Sequence, residues 1–189
     1  MVHLTTRYEA AIVPLNASKI GSEAYGHASF TIDGDTLTIK IDMHGTPANT
    51  QHWEHFHGFP DGKQALIATE LQDANGDGFV DLPETEPVSG TTMVPFDDAP
   101  ENMDIPHDRY PVADQQGGFS YEKKVPLATL KQNFKDAFGD DDLKLDKRVI
   151  YIHGVPDSLN LPASVAGAVA SYDAHTTLPI ATGQIVAVD

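Results

Sequence analysis

Cysteine is absent from the 189 residues, which excludes disulfides, zinc ribbons, iron–sulfur ligation and thiol catalysis. No run of about 18 apolar residues occurs, so no membrane insertion is expected. Cationic side chains are scarce: 12 Lys and Arg stand against 28 Asp and Glu, for a net charge of −16. A surface of that sign argues against a nucleic-acid partner. The start, Met1 to Arg7, is polar and lacks the apolar stretch of a secretory signal peptide. What is present is a globular composition, 40% hydrophobic and 21% charged, which excludes a disordered chain. The length suits a single domain over residues 1–189 with a core of its own. Histidine is not scarce, at nine residues.

The acid is concentrated. Between Glu70 and Asp108 stand eleven carboxylates and no Lys or Arg, and without that stretch the balance is 12 basic against 17 acidic. A solvated acidic loop is one reading of such a run; a cation site is the other. Spacing distinguishes them. Asp73 to Glu84 reads DANGDGFVDLPE, with oxygen donors at the first, third, fifth, ninth and twelfth positions (Asp73, Asn75, Asp77, Asp81, Glu84) and Gly78 at the sixth. Phe79 offers a backbone carbonyl at the seventh. This is EF-hand spacing: a hard cation takes six to eight oxygens, and the glycine permits the bend between them. Ion-free Asp/Gly turns favour some of the same residues, but the filled set points to calcium. A short helix over Leu66–Leu71 is expected before the loop, whereas Pro83 and Pro87 argue against a helix leaving it. A lone calcium loop is therefore expected, not a paired sensor, and its work would be to order the acidic insertion.

Most of the remaining chain reads as strands. Tyr8–Leu15 is an apolar opening strand. Around Asp33-Gly34-Asp35, Phe30 and Ile32 on one side and Leu37, Ile39, Ile41 and Met43 on the other alternate with polar residues, which predicts an antiparallel hairpin with one buried face. Residues 59–118 form a Pro-, Asp- and Gly-rich loop insertion with little periodicity, too long for a plain connection. Phe119–Val125 and Val149–His153 read as strands, Pro126–Phe138 as a helix stopped by Gly139, Val165–Ala170 as a short helix, and Ala181–Val188 as a closing strand.

The histidines fall at informative places. In His52–His57, HWEHFH, a strand would put His55 and His57 on one face with Trp53, and Glu54 and Phe56 on the other. Two imidazoles at i and i+2 can share a transition metal; a polar strand face open to solvent is the alternative. His153 ends VIYIH on the face of Val149 and Tyr151, where a lone histidine is ordinarily satisfied by a backbone hydrogen bond. His107, in IPHDRYP, is the single histidine between His57 and His153. His3, His27 and His44 read as surface or hydrogen-bonding residues.

The order of these segments resembles the copper–zinc superoxide dismutase fold, and still more its chordin-type (CHRD) relatives. GHASFTIDGDTLTIKIDMHGTPANTQHWEHFHG is similar to the hairpin, turn and H-x-H strand of both. ADQQGGFSYEKKVPL is similar to the dismutase strand after the zinc loop, VIYIHG to the strand bearing a further copper ligand, and LPIATGQIVAV to the closing strand. The resemblance implies an all-β Greek-key sandwich or flattened barrel of the superoxide dismutase type, with one or two short helices. It implies copper ligands at His55, His57 and His153, a structural role for His52, and His107, helped by Asp104 or Asp108, as a candidate fourth ligand.

The departures shape what the resemblance implies about function. Thr182 stands where the family has a disulfide cysteine, and Pro179 falls near the arginine that guides superoxide to copper. With His107 alone in the zinc-loop region, a copper–zinc pair is not implied, and zinc is the less favoured metal, although imidazoles also suit zinc, nickel and iron. The implied protein is secreted or periplasmic, with a mononuclear histidine site for copper and a structural calcium site. Its partners would be metal ions and superoxide, and its activity at most weak dismutation by a copper-only oxidoreductase. A surface of −16 without the guiding arginine repels superoxide; His175 is a candidate for that electrostatic part. A non-catalytic chordin-type scaffold or adhesion module, and a copper carrier with an ion-buffering acidic insertion, are the alternatives.

Overall fold

The computed structural model describes residues 5–188; His3 lies outside them. Period-two alternation builds the first layer. Strands β1 (Thr5–Pro14), β2 (Tyr25–Asp33) and β3 (Thr36–His44) pair antiparallel in sequence order. A four-residue helix, α1 (Ala17–Ile20), links β1 to β2, and Gly34, at φ +59°, turns the chain between β2 and β3. Leu37, Ile39, Ile41 and Met43 are all buried on the inner face, with Phe30 opposite Ile39 and Ala28 opposite Ile41. Each of the Leu, Ile, Met and Phe side chains contributes roughly 1.5–3 kcal/mol by leaving water.

The second layer runs β5 (Thr91–Pro95), β4 (Glu54–Gly58), β7 (Val149–His153), β8 (Pro179–Gln184), again antiparallel. Strand β6 (Phe119–Pro126) returns to the first layer and lies beside β3, a Greek-key crossing. The layers join along β1, whose end, Val13 and Pro14, leaves β2 and pairs with Thr182 and Ala181 of β8. The whole is an all-β sandwich, curled as a half-barrel with β5 and β6 at its two ends. The closing strand is broken at Ile185, and its last piece, β9 (Val186–Val188), pairs with β1.

The core between the layers is apolar, with Phe30, Phe56, Phe96, Ile150 and Ile152 among its residues. A second, smaller core forms on the outer face of the second layer, where Ala65, Ala68 and Val80 of the insertion pack with Val149 and Tyr151. Strands β4 and β7 are consequently buried on both faces. The H-x-H pair therefore lies inside the protein, not on a solvated strand face.

The insertion holds more regular structure than its composition predicts. It supplies edge strand β5 and a helix, α2 (Leu82–Ser89), the very helix that Pro83 and Pro87 argued against. Pro83 sits at the second helical position, where an N–H has no intrahelical acceptor. Pro87 forfeits one bond, and a capping box offsets it: the Asp81 carboxylate accepts the Glu84 N–H and the Glu84 carboxylate accepts the Asp81 N–H. Gly90, at φ +79°, ends this helix where a Cβ would meet the Gly58 carbonyl oxygen at 2.2 Å. The helix expected at Leu66–Leu71 is absent; only a 3-10 turn, Glu70–Gln72, forms. Nor is Val165–Ala170 helical, because Gly167 (φ +126°) and Ala170 (φ +52°) turn the backbone out of the helical region. The amphipathic helix forms as Leu127–Phe138, with Leu127, Leu130 and Phe134 buried and Gly139 as its stop; Pro126 precedes it as the cap.

Candidate metal sites

Strand pairing brings the histidines together. His55 lies opposite Tyr151 and His57 opposite Val149 in the β4–β7 ladder, and His153 ends β7 at a register shift. All three rings sit on the outer face under the insertion and are at least 98% buried. Ring centroids are 5.2 Å apart for His55 and His153, 5.7 Å for His57 and His153, and 6.0 Å for His55 and His57. One nitrogen from each lies within 4.8 Å of the others. Ligands of one ion at roughly 2.0–2.1 Å are at most about 4.2 Å apart, so small ring movements would close the set on a metal.

Hydrogen bonding among the described residues identifies which nitrogens are free. The Tyr110 hydroxyl donates to the Ile105 carbonyl (2.8 Å) and so accepts from His55 Nε2–H (3.0 Å). That leaves the Nδ1 lone pair of His55 without a partner. His153 Nδ1–H donates to the Thr177 carbonyl (2.8 Å), which leaves Nε2 unpartnered. Neither nitrogen of His57 has a partner. Two of the three tautomers are thus set by the groups behind the rings, the arrangement found behind metal-bound histidines. Burial and the neighbouring imidazoles push His55 and His57 well below the ordinary histidine range, and burial pushes His153 down to about 4. The imidazoles are therefore neutral near pH 7, as ligation requires.

The other expected residues fall elsewhere. His107 does not join the three: its Nε2–H donates to Asp97 (2.6 Å), its Nδ1 accepts from the Arg109 N–H (2.9 Å), and its ring stacks on Tyr110. Asp104 pairs with Arg109, and Asp108 accepts from Tyr172, so neither supports His107 as a ligand. His52 bridges the His153 and Pro47 carbonyls and is structural. His27 and His44 are exposed. His175 is tied to Leu159 and Asp173. Thr182 is buried, and its hydroxyl donates to the Ile150 carbonyl (2.8 Å), stitching β8 to β7.

Two cavities reach the cluster. One, of about 230 Å³, touches His57 and is lined by α2 and by Gly167 and Ala168; its only carboxylate is Glu86, and it holds no Lys or Arg. The other, of about 20 Å³, touches His55 and His153. Leu82 and Thr92 border both.

In the acidic loop, Asp73, Asp77 and Glu84 bring carboxylate oxygens within 4.8 Å of one another. Gly78 makes the bend at φ +89°. One oxygen of Asp73 accepts the Gly78 N–H, while the other is buried without a partner among the described residues. The donors also brace the loop as acceptors. The Asn75 side chain accepts from the Asp77 N–H, and Asp77 from the Phe79 N–H and the Ser164 hydroxyl. Asp81 accepts from the Glu84 and Ala166 N–H groups, and Glu84 from the Ala74 and Asp81 N–H groups. Phe79 puts its ring into the main core. The histidine triad and this loop are two of four groups that could hold a metal ion among the described residues.

Sequence reasoning missed Tyr110 and Thr177, which lie 55 and 24 residues from the histidines they orient, too far for any local pattern to connect. It also missed Glu54, fully buried, with both oxygens unpartnered among the described residues, and pushed well above the ordinary carboxyl range by burial and by Asp97. Neither a scan of protein-family models nor a search of curated proteins returns a match to this chain.

Proposed function

We propose that this protein is a metal-binding β-sandwich of the superoxide dismutase and chordin-domain type, holding copper on His55, His57 and His153 and calcium in the Asp73–Glu84 loop. One observation carries the reading: three buried, neutral imidazoles, each with a nitrogen that has no partner among the described residues, bring one nitrogen apiece within 4.8 Å of the others. Unsatisfied buried nitrogens cost free energy that a ligated metal would recover. The resemblance of the H-x-H and VIYIH segments to the dismutase copper strands supports copper over zinc, and the same resemblance supports a secreted or periplasmic location. Copper, when bound, supplies one-electron redox chemistry. The chain's own residues would hold the ligand tautomers, through Tyr110 and Thr177, and keep bulk water from the ligands.

Dismutation on this reading is weak. The larger cavity leading to His57 carries Glu86 and no cation, and the chain has a net charge of −16, so an anion is disfavoured on approach. The same acidic mouth favours passage of a metal cation, which supports a copper carrier as the second reading. Metal analysis after copper loading, paired with a superoxide assay, separates them. Stoichiometric copper lost in His55→Ala and His153→Ala, with dismutation, supports the enzyme; the same loss without dismutation supports the carrier. No copper uptake by the intact protein would sink both and leave a scaffold.

A further inference from the structure

The acidic loop and the histidine cluster are joined by one strap of chain, residues 164–169. On the loop side, the Ser164 hydroxyl donates to Asp77 (2.7 Å) and the Ala166 N–H donates to Asp81 (2.8 Å). On the histidine side, Gly167 and Ala168 wall the cavity that reaches His57, and Val169 walls the one that reaches His55 and His153. The connection then runs on by hydrogen bonds: the Thr177 hydroxyl donates to the Gly167 carbonyl (2.8 Å), and the Thr177 carbonyl accepts from His153 Nδ1–H (2.8 Å). A second connection leaves the other end of the loop, where Asp81 caps α2 and the next residue, Leu82, borders both cavities.

We propose that calcium in the Asp73–Glu84 loop controls exchange of the metal at His55, His57 and His153, by fixing the strap 164–169 and Leu82 over the histidines. The inference rests on the reading under Proposed function and adds a regulator to it. Its physical basis is charge. Asp73, Asp77 and Glu84 hold carboxylate oxygens within 4.8 Å of one another, a repulsive arrangement that a divalent cation neutralises. Calcium therefore stiffens the loop that supplies both acceptors for the strap. Each carboxylate oxygen has more than one lone pair, so Asp77 can ligate the ion and keep the Ser164 bond. With calcium bound the strap stays down and the metal is held; without it the strap lifts and the metal exchanges. Linkage requires that each ion bias the same two arrangements.

The test loads the 189-residue chain with one equivalent of copper, removes calcium on a chelating resin, and follows copper transfer to a chromogenic chelator with and without added calcium. Calcium should slow release by at least about tenfold, within the usual range of coupling between sites. Ser164→Ala combined with Ala166→Pro deletes both strap donors and touches no proposed ligand. It should keep copper and calcium stoichiometry while losing most of the calcium effect. Ser164→Ala alone, at an exposed position, should lose part of it and serves if the double variant does not fold. Independently of copper, calcium should slow hydrogen exchange at the Ala166 amide. Copper that binds, depends on His153, and leaves at one rate with or without calcium overturns this inference alone. Failure of copper to bind overturns the underlying reading with it. An Ala166 amide indifferent to calcium overturns the strap.

Discussion

Acid should destabilise the metal-free protein through its buried imidazoles, and His153 isolates the effect. Burial holds this ring at about 4, against 6.5 in the open chain. Between those values the unfolded chain takes up a proton that the folded protein declines. The contribution of His153 is thus fully present above pH 6.5 and is lost as the pH falls toward 4. From pH 7 to pH 5 the loss is roughly 2 kcal/mol, or about 4–8 °C in Tm for a chain of this size. Burial drives His55 and His57 in the same direction. Glu54 acts oppositely: its raised value means that the folded protein binds the extra proton, so its contribution grows as the pH falls. Comparison with His153→Gln cancels Glu54, because that residue is common to both proteins. Urea unfolding of the two, calcium-replete and free of transition metal, should show their stability difference moving by roughly 2 kcal/mol between pH 7 and pH 5. Parallel pH profiles would refute the argument that burial keeps the ring neutral.

Three further outcomes follow from the same geometry. Tyr110→Phe removes the acceptor that fixes His55 Nε2–H and should weaken copper binding by about tenfold or more in a competition titration; an unchanged affinity would count against Nδ1 as the ligand atom. Calcium at about 100 times its Kd should stabilise the protein by about 2.7 kcal/mol, so adding a calcium chelator should lower the Tm, and an unmoved melting curve would remove the calcium site. Ile41→Ala, in the core between the layers and on the other side of the second layer from the histidines, should cost about 2–5 kcal/mol yet keep one copper per chain; loss of copper binding at a temperature where the variant is folded would contradict that separation.

Much of the fold is legible in local pattern. The alternation Leu37, Ile39, Ile41, Met43 and the Asp33-Gly34-Asp35 turn specify the β2–β3 hairpin, because a strand with one buried face repeats every two residues. The Leu127–Phe138 helix is legible for the same kind of reason, at the helical period. Strand β5 and helix α2 are not, since TTMVP is too short to show a period and the prolines of LPETEPVS mislead where a capping box compensates. The EF-hand-type spacing is a local signal as well, because its donors come from one loop of chain, in which Asp81 also caps the following helix and accepts from Ala166.

The sequence by itself determined the residue types and local order: two imidazoles on one strand face, a third at the end of another strand, spaced carboxylates around Gly78, and no cysteine to staple them. Only the tertiary structure decided that His55, His57 and His153 meet, that His107 turns away to Asp97, and that the insertion buries the triad. It also decided that the acidic loop reaches His153 through residues 164–177. The physical reason is range. Periodicity and turn chemistry act over a few residues. Ligand convergence, tautomer and pKa depend on strand register and burial between segments about a hundred residues apart, as with His52 and the His153 carbonyl it faces.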